Sequence, residues 1–355
     1  MKKLLILTIY DNFNYGNRLQ NFAMQSVSKK FNKDVYTLNN ASLCYKKQNN
    51  AKRIKKITLK KLINKVRKIV LKPIYRKRFK VFEKFSDTLI KQTRINTYDE
   101  INKEFSMICI GSDQIWNPYF LNNFYYSFGK FSNNAFSYAA SFGIEKIPDE
   151  YKEEIKDGLE KIKNISVREE KGADIVEEFI SKRPEVNIDP TLLLTYKEWN
   201  KIVEIPKSLP NKKYILTYFL GKYSNKRRKY INDFAKKNNL EVVSLAQIKD
   251  IKYYFMGPSE FLYFIKNCEM VLTDSFHGAI FSIIYKKPFY IFNREEKIES
   301  MNSRIETLLK KFDLKEREIK DYSQSLEFDC DFSKVDSILE IERKKSMEYL
   351  KNAIN

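Results

Sequence analysis

The chain has 355 residues, 43% of them apolar and 14% aromatic, with a formal net charge of +21. This apolar content excludes a disordered chain, and a single core seldom grows past about 250–300 residues, so two domains are expected. No run approaches the ~18 apolar residues of a membrane span, and the four cysteines (Cys44, Cys109, Cys268, Cys330) are scattered without a CxxC pair. That excludes a spanning helix, a disulfide framework and a zinc site, and fits a cytoplasmic protein.

In chain order, Leu4–Ile9 reads as a first buried strand. Met1, Lys2 and Lys3 before it briefly mimic a signal peptide, but Asp11 and Asn12 end the apolar run and no small-residue cleavage site follows. The polar loop Tyr10–Asn17 carries one glycine, Gly16. A helix over Arg18–Phe31 follows, with Leu19, Phe22, Ala23, Val27 and Phe31 on one face. A strand, an Asn/Gly loop and a helix can present backbone N–H groups to phosphate or carboxylate, which makes Asn14, Gly16 and Asn17 candidate ligands. A tight turn alone also explains Gly16, and the loop is neither GxGxxG nor a P-loop.

Asp34–Leu38 is the next strand. A basic helical insertion then occupies residues 46–90. Lys46 to Arg78 contains about fifteen Lys or Arg and no acid, with Leu59, Leu62, Ile63, Val66 and Val70 at helical spacing. Three readings stand: a solvated helix with one face on the protein, a contact with an anionic membrane surface or lipid-linked substrate, and nucleic acid. No DNA- or RNA-binding motif accompanies the charge, so nucleic acid is not expected.

Ser106–Ile110 reads as a buried strand running into Gly111–Pro118. Asp113 there is a candidate base. Gln114, Trp116 and Asn117 can stack on or hydrogen-bond a sugar; the competing reading is a turn capped by Asp113 with Trp116 as a lid on the core. Ala135–Phe142 reads as a strand closed by Gly143, and Asp149–Ile162 as a surface helix. Ile165–Glu170 reads as a strand carrying Arg168 near its tip, where a guanidinium either ion-pairs or forks onto an oxyanion. A helix over Gly172–Ile180 and the segment Val186–Leu194 close the first half.

Pro206–Pro210 is the linker candidate. Beyond it come strands Tyr214–Leu220, Glu241–Leu245, Met270–Thr273 and Phe289–Phe292. They alternate with helices Lys226–Asn238, Ser259–Asn267, one following His277, and Ser303–Phe312, which implies a parallel sheet with helices on both faces. Val335–Leu350 is a polar terminal helix. The expected division is an α/β domain over 1–200, a second over 211–320, and a tail and helix over 321–355.

His277 is the one histidine in the chain. It lies where a short apolar strand gives way to a helix, after the capping-type residues Thr273, Asp274 and Ser275 and before Gly278. Such strand-to-helix turns line the ligand crevice of open α/β sheets, and imidazole suits proton transfer near neutral pH. The alternative is a core histidine satisfied by a carbonyl.

Seven segments in order resemble the polysaccharide pyruvyl transferase family: NYGNRLQ (14–20), GSDQIWN (111–117), SYAASFG (137–143), SVREEKG (166–172), DPTLLL (189–194), TDSFHGAIFS (273–282) and SRIETLL (303–309). The resemblance spans residues 4 to 315. It implies two Rossmann-like domains with a cleft between them, similar to the GT-B glycosyltransferase fold. It also implies transfer of the enolpyruvyl group of phosphoenolpyruvate to a sugar of a cell-surface polysaccharide or its lipid-linked precursor, as a pyruvate ketal. The family's essential histidine falls on His277 and its oxyanion-binding arginine on Arg168. Some members carry arginine where this chain has Ser275, so either another cation, such as Arg304 or Arg18, replaces it, or the donor differs. The scheme needs no metal and no cofactor beyond phosphoenolpyruvate as donor. Two other readings compete: a sugar-nucleotide-dependent glycosyltransferase of the same fold, and a non-enzymatic basic protein peripheral to the inner leaflet of the membrane.

Overall fold

The computed structural model describes residues 3–31, 34–39, 59–95, 97–120, 127–128, 131, 134–294 and 303–355, and the side chains at 59–69 lie outside that description. The first sheet comprises β1 (Lys3–Leu7), β2 (Asp34–Leu38), β3 (Gln92–Thr93), β4 (Met107–Ile110) and β5 (Asn134–Ser137), ordered β3-β2-β1-β4-β5 with every pair parallel. β1 and β4 are apolar on both faces because helices cover both sides of a parallel sheet. Single bridges, Phe136 to Asn164 and Ala140 to Val167, lead on to a parallel pair, β6 (Ser166–Val167) and β7 (Glu185–Val186).

The second sheet holds β8 (Tyr214–Tyr218), β9 (Glu241–Leu245), β10 (Met270–Thr273), β11 (Phe289–Phe292) and β12 (Glu318–Ile319), ordered β12-β11-β10-β8-β9 and again parallel. The two sheets are separate, so the chain forms two Rossmann-like α/β units. In each the strand order reverses once, between β1 and β4 and between β8 and β10. A crevice opens at such a point because the flanking connections leave on opposite faces. The loops after β1 and β4 carry Asn14 and Asp113, and the helix that follows β10 carries His277.

Several elements differ from the expected bounds. The helix over Tyr15–Lys29 starts three residues before Arg18 because the Asn14 side chain caps it, accepting from the Asn17 N–H at 3.3 Å. The strand expected over Ala135–Phe142 stops at Ser137, since Ala139 takes φ +45 and breaks the ladder. The strand expected over Ile165–Glu170 is the two-residue β6. His277 sits inside the helix Phe276–Ile284 rather than before it, with Ser275 as cap.

One apolar cluster runs through both units. Tyr15 of the first unit stacks on Phe261 of the second (centroids 4.6 Å apart, planes 9°) and donates to the Met256 carbonyl at 3.0 Å. The terminal helix Val335–Ile354 returns to the first unit: Tyr349 donates to the Ser137 carbonyl and Arg343 to that of Leu192, at 2.8 and 2.6 Å.

The long basic helix is Leu59–Leu89, and the expected segment 46–58 lies outside the described residues. Its C-terminal part packs inward through Phe82 and Phe85. Arg78, also buried, donates to Tyr15, to the Phe13 carbonyl and to the Tyr254 carbonyl, so it ties the helix to both units. Of the expected apolar stripe only Val70 has a described side chain, and it is 66% exposed. Among the described residues no helix is long and apolar enough to cross a membrane, and no group of His, Cys, Asp or Glu is placed to hold a metal ion.

Candidate active site between the two units

A cleft of about 450 Å³ opens between the loops after β1 and β4 on one side and the start of the His277 helix on the other. Ser275 caps that helix by accepting from the Gly278 N–H at 3.3 Å, and Ser275, Phe276 and His277 all line the cleft. The partial positive charge of the helix N-terminus therefore borders it. A Cβ at Gly278 would stand 2.6 Å from Thr273 Oγ1, so glycine lets this helix close onto β10. Asp274 accepts from the backbone N–H groups of Leu220 and Gly221 at 2.7 and 2.9 Å and so fastens the loop after β8 to the loop after β10.

The first unit reaches His277 directly. A Cβ at Gly16 would lie 2.2 Å from the imidazole Cγ and Nδ1, so the leading turn of the first helix packs on the ring itself. The requirement for glycine here is close approach, not a turn. On the other edge, His277 Nε2 lies 3.5 Å from Asp189 Oδ2.

Behind the ring runs a buried polar chain. Arg168 Nη1 donates to Asp189 Oδ2 at 2.7 Å, and Arg168 Nη2 to Asp113 Oδ1 at 3.3 Å. Asn17 Nδ2 donates to the other oxygen of Asp113 at 3.1 Å. Asp113 is aimed into this arrangement by a left-handed backbone (φ +68), a conformation that aspartate tolerates better than most residues. Phe276 lies against two guanidiniums, with Arg168 4.5 Å and Arg304 5.7 Å from its ring centre.

Burial by itself would raise both carboxyls. For Asp113 the charges of Arg168, His277 and Arg304 outweigh it and hold the group below the usual carboxylate range. For Asp189, His277 and Arg168 together with the Thr191 hydrogen bond do the same, more strongly. Burial would lower Arg168, but Asp189 and Asp113 raise it. Arg304 is pushed down to about 10, first by burial and then by Arg168, and stays cationic at neutral pH. Asp11, also on the cleft, goes the other way: burial raises its carboxyl despite a hydrogen bond from the Phe13 N–H.

The expected residues separate into two groups. His277, Asp113, Asn14, Asn17, Gln114, Ser275 and Arg304 line the cleft. Gln114, with its carbonyl oxygen turned to Arg304, accepts from Nη1 at 2.8 Å and also from Nη2. The others do not line it. Arg168 is buried behind the lining: its guanidinium is 2% exposed, its two Nη atoms pair with carboxylates against the Phe276 ring, and its Nε is buried without a partner. Trp116 is not a sugar platform: it is fully buried against Phe128 and Phe142, which is the core-lid alternative. Asn117 builds the turn, accepting from the Tyr119 N–H at 2.9 Å. Gly16 touches His277 and not the open space. Arg18 is buried, donating to the Ile9 carbonyl beneath the Tyr10 ring.

Sequence reasoning passed over Asp189, Arg294, Asp11 and Phe276. Arg294 follows β11 and lines the cleft, with Nε 4.0 Å from Asp274. The Asp-Pro pair at 189–190 signals a helix cap and nothing more. An arginine just past a buried strand was the available clue to Arg294.

No curated protein sequence matches the chain. Among solved structures it is similar to a putative UDP-N-acetylglucosamine 2-epimerase from Listeria monocytogenes (10% identity, 96% of this chain and 95% of that one, TM-score 0.48). It is also similar to the UDP-GlcNAc 2-epimerases from Neisseria meningitidis, bound to UDP-GlcNAc (12%, 97% and 100%, TM-score 0.43), and from Methanocaldococcus jannaschii (13%, 96% and 99%, TM-score 0.46). The two-unit architecture stands on the strand orders themselves. The sequence model of the polysaccharide pyruvyl transferases matches residues 14–296, from the capped loop before the first helix to just past Arg294. The chain therefore belongs to the polysaccharide pyruvyl transferase family, a family of enzymes.

Proposed function

We propose that this enzyme takes phosphoenolpyruvate as donor and a sugar diol as acceptor, releasing inorganic phosphate and a cyclic pyruvate ketal. The carrying observation is that His277, the cations Arg304 and Arg294, and a helix N-terminus all border one cleft. A donor with a carboxylate and a phosphate needs fixed cations and N–H groups of this kind. Arg304 is 7% exposed and its Nε has no partner, so it has capacity left for an anion and takes the place of the arginine that Ser275 replaces.

In the reaction a proton adds to the donor's methylene carbon, which becomes methyl. One sugar oxygen bonds to the central carbon and gives up its proton. The second sugar oxygen then displaces phosphate, which leaves with the electron pair of its C–O bond. Two hydroxyl protons are lost, one is gained by carbon and one by phosphate. His277 supplies the proton to carbon. Asp11 suits removal of the hydroxyl proton better than Asp113, because burial raises Asp11 and makes its carboxylate the stronger base, while Arg168 holds Asp113 low and makes it the weaker one. The acceptor is carried at an anionic membrane surface on the cytoplasmic side, held there by the acid-free basic segment 46–78.

The test follows phosphate release from phosphoenolpyruvate with and without sugar diols, including lipid-linked ones. Release that requires both partners supports the reading. Turnover of a sugar nucleotide with no phosphate release from phosphoenolpyruvate would replace it with glycosyl transfer.

A further inference from the structure

Arg168 and His277 meet on one oxygen atom, Asp189 Oδ2, at 2.7 and 3.5 Å. The other oxygen, Oδ1, accepts from the Thr191 N–H at 3.0 Å and from the Thr191 hydroxyl at 2.6 Å. The carboxylate cannot rotate without losing both bonds, so Oδ2 is held in place. The Asp189 side chain is 0% exposed. Capping the one-turn helix Pro190–Leu193 uses Oδ1 alone and leaves the aim of Oδ2 unexplained. Satisfying Arg168 explains one of its contacts. Two contacts remain: the Ser112 hydroxyl, which donates to Oδ2 at a long 3.4 Å, and an imidazole nitrogen that is buried and has no other hydrogen-bond partner.

We infer that Asp189 is a positioning residue: it fixes the His277 imidazole with the proton on Nε2, and Arg168 acts through Asp189 rather than on the substrate. The carboxylate is an acceptor only, so the nitrogen facing it must be the donor. Nδ1, on the edge that Gly16 packs against, is then the atom left to exchange a proton with the cleft. In the proposed transfer the Nδ1–H bond breaks as the carbon–hydrogen bond forms, while Nε2–H stays on Asp189. Arg168 holds Asp189 on one side and Asp113 on the other, so it sets the ring's orientation from a distance. The kinetic consequence rests on His277 being the proton donor; the tautomer does not.

Because His277 is the one histidine in the sequence, imidazole nitrogen signals from ¹⁵N-histidine-labelled full-length protein belong to it without assignment. The neutral ring is expected to carry its proton on Nε2, and Asp189→Asn is expected to shift the population toward Nδ1–H at least several-fold. Asparagine retains the cap on Thr191. With phosphoenolpyruvate as donor, Asp189→Asn should lower kcat on the order of 10²–10⁴-fold and leave the donor KM within about threefold. Should that variant not fold, the double change Arg168→Gln with Asp189→Asn removes the cation with its partner and must show the same shift. An Nδ1–H ring in the unaltered protein, or the same ring spectrum with and without Asp189, overturns the assignment. Absence of phosphate release would remove the donor reading and leave the spectra standing, so the two failures are distinguishable.

Discussion

Gly16 of the first unit lies against the imidazole of His277 in the second, so closely that a Cβ at position 16 would stand 2.2 Å from the ring. The two residues are 261 positions apart, and their contact makes the cleft a product of both units. Gly16→Ala must displace either the ring or the leading turn of the first helix. Overpacking of this kind costs about 1–3 kcal/mol of stability. Misplacing a reacting group by ~1 Å costs on the order of 10²-fold in rate. The variant should therefore fold, melt lower and lose about two orders of magnitude in kcat. Full activity would mean that the ring is not held where it is needed.

Arg304 and His277 border the same cleft but are assigned different work, and kinetics separates them. Arg304→Gln removes a cation from the donor's anionic groups. A charge-assisted hydrogen bond is worth about 1.5–3 kcal/mol, so the donor KM should rise about 10- to 100-fold while kcat changes little. His277→Gln should leave KM nearly alone and lower kcat by ~10²–10⁴. The reverse pattern would exchange the two roles.

How much of this was legible in the sequence differs between the units. β9, β10 and β11 match the read segments to the residue: β10 and β11 are short apolar runs bounded by polar residues or proline, and β9 is marked by its Val242-Val243 pair after Asn238-Asn239. The first unit was less readable. The apolar run through Ala139 and Ala140 reads as one strand, and nothing in it announces a left-handed alanine. At a strand tip Arg168 could ion-pair or fork onto an oxyanion, and it was the family resemblance that pointed to the oxyanion. Its partners Asp113 and Asp189 lie 55 and 21 positions away, and their convergence is set by packing that no local pattern records. Trp116 was ambiguous for the same reason: a tryptophan in a polar turn serves a sugar or a core equally well until its neighbours are known.

Asp113 gives a pH dependence whose sign is fixed by the direction of its shift. Burial alone would raise the carboxyl, but Arg168, His277 and Arg304 lower it in the folded protein. A carboxyl lowered on folding adds stability above its unfolded value of about 3.9 and loses it as pH falls further, toward the folded value. Asp113→Asn should thus be less stable at pH 7 by about 1–3 kcal/mol. Its stability should also decline less steeply below about pH 4 than that of the unaltered protein. Urea midpoints measured from pH 3 to 7 would show the two curves converging at the acid end. Parallel, offset curves would mean that ionisation of Asp113 is not linked to folding, and superimposed curves that the Asp113–Arg168 pair contributes no net stability.

The basic segment yields the last prediction. Lys60, Lys61 and Lys65 belong to a stretch, 46–78, with about fifteen cations and no acid, and the same helix exposes Val70, Tyr75 and Phe79 further along. Phe13, next to the cleft loop, packs its ring on Tyr75 and Phe79, so this face adjoins the active site. A basic residue near an anionic bilayer contributes about 1 kcal/mol, so changing the three lysines to glutamine should weaken binding to anionic vesicles on the order of a hundredfold. Raising salt from ~0.1 to ~1 M shortens the screening length from about 10 to 3 Å and should release the unaltered protein as well. Turnover of a free, water-soluble acceptor should be unchanged in the triple variant, while that of a lipid-linked acceptor in vesicles should fall. Equal binding to neutral and anionic vesicles, or equal loss with both acceptors, would show that the segment serves the fold and not the membrane.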